Sequence, residues 1–270
     1  MLFWLGTHRP ENHCQRTAVP LCISYGRLRG KKKLPHVTGP VFLDSRGFSE
    51  IAEHGTYTFT DREYVDFARR CQDQWGDKLV HVSIKDWMCE PFMLAKTRMT
   101  IGQHQTLTVN SWIGLRHMAP EIPWVPVLQG WNVDDYHECR DRYEDFAVTR
   151  LARLPLVGLG SVCRRQGTQE AAVIVKSLYA AGLDNLHGFG FKTTGLVSRK
   201  LRLANYLRSS DSMAWSSRAR NKWLHEKQRL CGGEHKGGCA NCLAWALQWR
   251  ERLVRRIDRV TAHGTQALMF

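Results

Sequence analysis

The chain has 270 residues, enough for one large domain or two small ones, with 43% hydrophobic and 24% charged residues. That balance excludes wholesale disorder and allows a sizeable core. The net charge of +14 and the pI near 9.6 point to a polyanionic partner. Nucleic acid comes before a membrane surface, because no long amphipathic basic helix stands out.

No run of about 18 apolar residues occurs, so neither a membrane-spanning helix nor a membrane partner is expected. The opening MLFWLG is too short for a signal peptide and is interrupted by Thr7-His8-Arg9-Pro10. Cys14, Cys22, Cys71, Cys89, Cys139 and Cys163 are scattered, whereas Cys231, Cys239 and Cys242 cluster. Scattered plus clustered cysteines suit a reducing cytoplasm with one metal site better than a disulfide framework.

In chain order, Leu2–Leu5 is a strand candidate. Residues 10–40 read as irregular and basic, with Arg27, Arg29 and Lys31–Lys33 as either a solvated loop or a phosphate contact. Val41-Phe42-Leu43 then stops abruptly at Asp44-Ser45-Arg46-Gly47, as a buried strand ending in a polar turn does. Gly47 is expected to supply the turn's unusual backbone conformation. Asp44 either caps the next helix or serves chemistry. Thr60 and Glu63 form a capping box for a helix to about Trp75, stopped by Gly76. Lys78–Ile84 is a strand ending in Lys85-Asp86-Trp87, and 96–117 a helix. Pro123–Leu128 is a strand ending in Gln129-Gly130, followed by a helix over Asp134–Leu151. Leu156–Leu159 ends in Gly160-Ser161, and Thr168–Ala181 is helical with Gly182 as its stop. Asn185–Phe191 is a strand through Leu186-His187-Gly188, and a shorter helix and strand lead to Asp211.

This alternation predicts an α/β fold with a parallel sheet. No Gly-x-Gly-x-x-Gly opens a helix after the first strand, which argues against a dinucleotide-binding fold and for a compact (β/α)8 TIM-type barrel over residues 1–222. Residues 223–270 are expected to form a small C-terminal zinc-binding subdomain with a basic helix from Leu243 to about Thr261. In a barrel, Asp44-Ser45, Asp86, Gln129-Gly130, Gly160 and Asp211 converge on one face. Three carboxylates in one pocket repel, so their convergence calls for a chemical role.

The ordered motifs resemble the tRNA-guanine transglycosylase superfamily over roughly residues 41–242. Asp44-Ser45-Arg46-Gly47-Phe48 is similar to its Asp-Ser-Gly-Gly-Phe motif, with Arg46 in place of a glycine. Asp86 stands where that family has a guanine-reading Asp. Val127-Leu128-Gln129-Gly130 resembles its Val-Gln-Gly strand end, and Val157-Gly158-Leu159-Gly160 its Gly-Gly-Leu segment. Asp211-Ser212-Met213-Ala214-Trp215 resembles its nucleophile motif. The short chain, without an added RNA-binding domain, is most similar to the deazapurine DNA modification transglycosylases of phages and bacteria.

That resemblance implies exchange of guanine in DNA for a 7-deazaguanine such as preQ0. Asp211 would be the nucleophile and Asp44 the acid/base. Asp86 would read the guanine N1–H and amine, Gln129-Gly130 and the Gly160 backbone its O6 edge. Ser45 would add a base or phosphate contact, and His187-Gly188 or Phe189 an apolar clamp. The same chemistry on tRNA and a non-catalytic zinc-stapled nucleic-acid-binding barrel are the alternatives.

Cys231-x7-Cys239-x2-Cys242 has metal-ligand spacing and suits tetrahedral zinc. The family's distant His would be His263, but an unbroken helix after Cys242 would hold it roughly 30 Å away. His235, inside the loop, is the expected fourth ligand. His104-Gln105 reads as a satisfied mid-helix pair. Arg250, Arg252, Arg255, Arg256 and Arg259 spread over more than one helix face, part solvated and part available to phosphates.

Overall fold

The structure is a computed structural model that describes residues 1–191, 193–198 and 200–267, the last five by backbone alone. Nine parallel strand segments run β1 (Leu2–Gly6), β2 (Leu21–Ser24), β3 (Val41–Asp44), β4 (Leu79–Ser83), β5 (Trp124–Val125), β6 (Val127–Leu128), β7 (Val157–Leu159), β8 (Leu186–Gly188) and β9 (Ser209–Ser212). Their order is β5-β4-β3-β2-β1-β9-β8-β7-β6. Pro126 alone separates the two outermost segments. Lacking an N–H, it cannot continue the ladder on both sides. β5 pairs with β4, and β6 pairs with β7. Counting the Pro126-split pair as one strand, the nine segments form an eight-stranded barrel.

The helices are α1 (Pro10–His13), α2 (Gly47–His54), α3 (Asp61–Trp75), α4 (Pro91–Thr97), α5 (Ile101–Met118), α6 (Val133–Asp145), α7 (Gln169–Ala180), α8 (Thr193–Val197), α9 (Ala214–Glu226) and α10 (Leu243–Ala267). Side-chain caps fix most of the long ones. Thr60 with Glu63, Thr100 with Gln103 and Asn132 with Asp135 each form a reciprocal box, so two orphan amides are satisfied at each N-terminus. Thr168 caps α7.

Two cores result. The larger lies between the strands and the helical ring. The smaller fills the barrel with Trp4, Cys22, Phe42, Val125 and Leu156, and Phe189 packs on it. The rings of His81 and His187 lie 5.4 and 4.8 Å from that of Phe42, so the interior is packed below the C-terminal ends of the strands. The C-terminal segment docks on the larger core. Trp245 donates to the Trp215 carbonyl, and the Trp249 ring lies 5.8 Å from that of Phe3.

Several expectations need correction. Residues 10–40 are not wholly irregular: β2 is a barrel strand, hidden because it has only four residues between Pro20 and the turn at Tyr25-Gly26. The helix expected over 96–117 is two helices, broken where Arg98 turns left-handed (φ 57°) before the Thr100 cap. The helix after Gly130 ends at Asp145 rather than Leu151. The left-handed residue in the turn after β3 is Arg46 (φ 68°), not Gly47. That conformation costs about 1 kcal/mol for a side-chained residue. The Arg46 amide donates to Asp44 and its guanidinium reaches Glu50 and Glu53 at 3.5 and 3.2 Å, which offsets the strain. Gly47 is needed for space instead: a Cβ there would lie 2.4 Å from Tyr57 Oη and 2.6 Å from Met88 Cε.

Candidate active site

Two adjoining cavities open at the C-terminal ends of the strands. The larger, about 520 Å³, is lined by Asp44, Asp211, Cys22 and Ser24 and rimmed by His8, Arg27 and Arg46. The smaller is a slot of about 80 Å³ lined by Asp44, Asp86, Glu90, Gly160 and Ser161 between Phe48 and Phe189. Asp44 belongs to both.

The ladder brings these residues together. Ser24 on β2 is in register with Asp44 on β3, and Trp4 on β1 with Asp211 on β9. Only two strands separate the two carboxylates in the barrel order. Burial, and then the Asp211 charge, push the Asp44 carboxyl up to about 6, although the Arg46 amide and Ser24 pull the other way. Asp211 Oδ1 accepts from the Gly190 amide at 2.8 Å and lies 3.5 Å from His187 Nε2. His187 is fully buried, with Nδ1 2.8 Å from Ser209 Oγ. His187 Nε2, near Asp211, makes no hydrogen bond among the described residues.

In the slot, burial first and then the Asp44 charge push Asp86 up to about 7. Gln129 Nε2 donates to Asp86 Oδ2 at 2.5 Å, and Ser45 lies 3.4 Å from Asp86 Oδ1. Tyr57 Oη accepts from the Asp86 amide and donates to its carbonyl. The loop after β4 is held further by Trp87 N–H on Thr108 and by His104 Nδ1, 2.7 Å from the Met88 carbonyl. His104, near the start of α5 rather than mid-helix, is thus a satisfied core histidine.

Ser161 accepts from the Cys89 amide at 2.7 Å, with Gln129 Oε1 at 2.6 Å and Glu90 Oε2 at 2.9 Å. A hydroxyl has one proton to give. The set closes when Ser161 donates to Gln129 and a protonated Glu90 donates to Ser161. Burial pushes the Glu90 carboxyl up, in the direction this accounting requires.

Of the residues singled out in the sequence, Asp44, Asp86, Gly160 and Asp211 line the cavities. Ser45 and Gln129 stand behind Asp86, and His187 stands beneath Asp211. Gly130 packs on the start of α6 and Gly188 on Phe191, outside both cavities. Phe189 lines both cavities and His187 neither. Glu90, Ser161, Phe48 and His8 had not been assigned roles, and Arg27 had been named only as a loop residue or a phosphate contact. Phe48 lay within the quoted Asp44 motif, and the run of basic residues hinted at Arg27. Nothing local marked Glu90.

Among the described residues, Cys231, His235, Cys239 and Cys242 place their ligand atoms within 4.8 Å of one another. His235 Nε2 is 3.2 Å from Cys231 Sγ and 3.5 Å from Cys239 Sγ. A tetrahedral ion at about 2.3 Å from sulfur and 2.0 Å from nitrogen needs separations of that size. This cluster could hold a metal ion. The side chain of His263 lies outside the described residues. Arg250 of the basic helix donates to the Phe3 carbonyl and is spent on docking that helix.

None of the nine cysteines, all of which are among the described residues, forms a disulfide. Among the described residues no helix is long and apolar enough to cross a membrane. A family model described as DpdA, DeoxyPurine in DNA protein A, matches residues 1–269. No curated protein matches the chain.

Proposed function

The chain belongs to the DpdA family, whose members are DNA-modifying transglycosylases, and we propose that it exchanges guanine in DNA for a 7-deazaguanine base such as preQ0. The observation that carries this reading is the pair of cavities sharing Asp44, with Asp211 in the larger and Asp86 in the slot. The slot is flat-walled by Phe48 and Phe189, as a purine ring requires. The target guanine leaves the stack to enter it.

Asp211 attacks C1′ of the target nucleotide, the C1′–N9 bond breaks, and the purine leaves with the electron pair. Asp44 supplies the proton that the leaving purine takes up. An acid held near 6 by burial and by Asp211 is protonated often enough near neutrality to do so. The incoming deazapurine returns its N9 proton to Asp44, attacks C1′ and frees Asp211. Splitting the exchange into two displacements lets one base leave before the next enters. Gly190 N–H and His187 hold the Asp211 carboxylate in place.

Asp86, once ionised, accepts from the guanine N1–H and amine, and a base lacking those donors leaves it unpaired. The Ser161–Gln129 chain keeps Asp86 turned toward the ring. The rim cations Arg27 and Arg46 suit backbone phosphates.

The Cys/His loop takes zinc as a structural ion, since four protein ligands leave no open position. Residues 1–222 then form the catalytic barrel and 223–270 its stapled extension, working in a reducing cytoplasm.

The test is incorporation of labelled guanine into DNA and, separately, into tRNA. Label in DNA but not tRNA, lost in Asp211→Ala, upholds the reading. Label in tRNA alone moves the activity to RNA, and label in neither contradicts it.

A further inference from the structure

Phe92, in the first turn of α4, has an exposed ring at 41% of its surface. Single exposed apolar side chains are common, so its packing rather than its exposure sets this ring apart. This one is not loose. Its ring packs edge-on against Phe48, with centroids 6.1 Å apart. The Arg164 guanidinium covers both rings, 4.7 Å from Phe92 and 4.9 Å from Phe48. Phe48 is a wall of the slot and of the larger cavity, and Phe92, which lines neither, packs on Phe48 from outside. Behind it, the loop that carries α4 is pinned through the Cys89 amide on Ser161 and the Met88 carbonyl at His104.

Arg164 forms no salt bridge among the described residues, so its N–H groups are open to an acceptor from outside. The cavity rim adds Arg27 and Arg46. An exposed aromatic ring under an arginine, on a chain of charge +14, does not suit another basic protein surface or a lipid tail. It suits a polyanion that also offers flat aromatic faces, which is a nucleic-acid strand.

We propose that Phe92 is a wedge that enters the duplex beside the extruded nucleotide, stacking on the neighbouring base while Arg164 holds the adjacent phosphate. Removing one base from a stack leaves a gap and exposes its neighbours, and apolar side chains fill such gaps in proteins that open duplexes. A rigid Phe fills one with little rotamer freedom to lose. The inference rests on the base-exchange reading for its purpose, but not for its geometry.

The experiment therefore reads duplex opening and exchange separately, in the full-length chain. Random-sequence duplex DNA is saturated with protein and treated with permanganate, which oxidises unstacked thymines. Labelled guanine exchange is measured on the same DNA, native and heat-denatured. Wild type is expected to give protein-dependent thymine reactivity, and Phe92→Ala to lose it at equal DNA occupancy. Phe92→Ala is expected to lose at least tenfold in exchange on the duplex, to stay within about threefold on denatured DNA, and Phe92→Leu to keep most of both. Thymine reactivity absent from wild type, or unchanged in Phe92→Ala, overturns the wedge. Equal loss of exchange on native and denatured DNA also overturns it, placing Phe92 in the slot wall instead. Wedge-dependent reactivity without any wild-type exchange upholds the wedge and contradicts the exchange reading.

Discussion

The mouth of the barrel and the Cys/His loop both gather groups that are costly when left unpaired, but they do so in opposite ways. At the mouth, Asp44 and Asp86 are buried near like charges and are pushed up to about 6 and 7. Folding works against their ionisation, so these two carboxyls subtract stability. In the loop, Cys231, His235, Cys239 and Cys242 are close in sequence and converge on one point. A metal there adds stability and leaves no position for chemistry. Substitutions at the mouth should abolish activity without harming the fold. Substitutions in the loop should do the reverse.

The largest expected effect is at Asp44. Asp44→Ala should lower guanine exchange by about two to four decades, the usual weight of a general acid or base. Its melting temperature should equal or exceed that of wild type, as thermal scanning will tell. A variant that melts early would place Asp44 in the fold rather than in the chemistry.

Next comes the loop. Cys239→Ser should lose bound metal by elemental analysis and lower the melting temperature by roughly 5–10 °C. Exchange below the new melting point should stay within a few fold. An exchange defect as deep as that of Asp44→Ala, with the fold intact, would erase the contrast between the two regions.

Asp86 sharpens the contrast because one change should move both quantities in opposite directions. Its folded pKa is raised from 3.8 to about 7. Between those values the unfolded chain binds fewer protons than the folded one, so this carboxyl subtracts stability as pH rises, fully so above about pH 7. Asp86→Asn should therefore stabilise the protein at pH 8 by about 1–3 kcal/mol, with the gain shrinking toward pH 5. Exchange should fall by roughly one to two decades, since an amide turns a donor toward the guanine N1–H. In wild type, binding of free guanine should weaken as pH drops below about 7, where Asp86 takes up a proton. Denaturant melts at two pH values and a binding titration check all three.

The smallest effect is at His187. His187→Phe removes the ring nitrogen 3.5 Å from the Asp211 carboxylate and should slow formation of the covalent intermediate about fivefold to tenfold. His187→Gln, which keeps an N–H, should recover part of it. Equal rates in all three proteins would leave His187 as packing alone.

The barrel was legible because its strands are apolar runs that stop at polar or glycine residues, and those stops mark the functional end of a parallel sheet. Asp44, Asp86, Gly160 and Asp211 were found in this way, and all four line the cavities. The metal loop was legible from spacing alone. β2 escaped because four residues are too few to carry a period. The break at Arg98 escaped because a left-handed Arg has no sequence signature, although the Thr100–Gln103 box beyond it could have been read. Glu90 was beyond reach: its hydrogen-bond partner Ser161 lies 71 residues away in the chain. Ser45 and Gln129 carried the right motifs, but only the three-dimensional arrangement sets them behind Asp86 rather than on the cavity wall.

The central claim is that the carboxylate on β9 becomes bonded to the sugar. The direct measurement is to incubate the protein with DNA and no incoming base, denature, and map the adduct by gel shift and peptide mass analysis. A protein–DNA adduct on Asp211, absent from Asp211→Ala and released as exchanged DNA when a 7-deazaguanine is added, is the predicted result. An adduct on Asp44 would exchange the two roles, and guanine exchange that survives Asp211→Ala would contradict the mechanism.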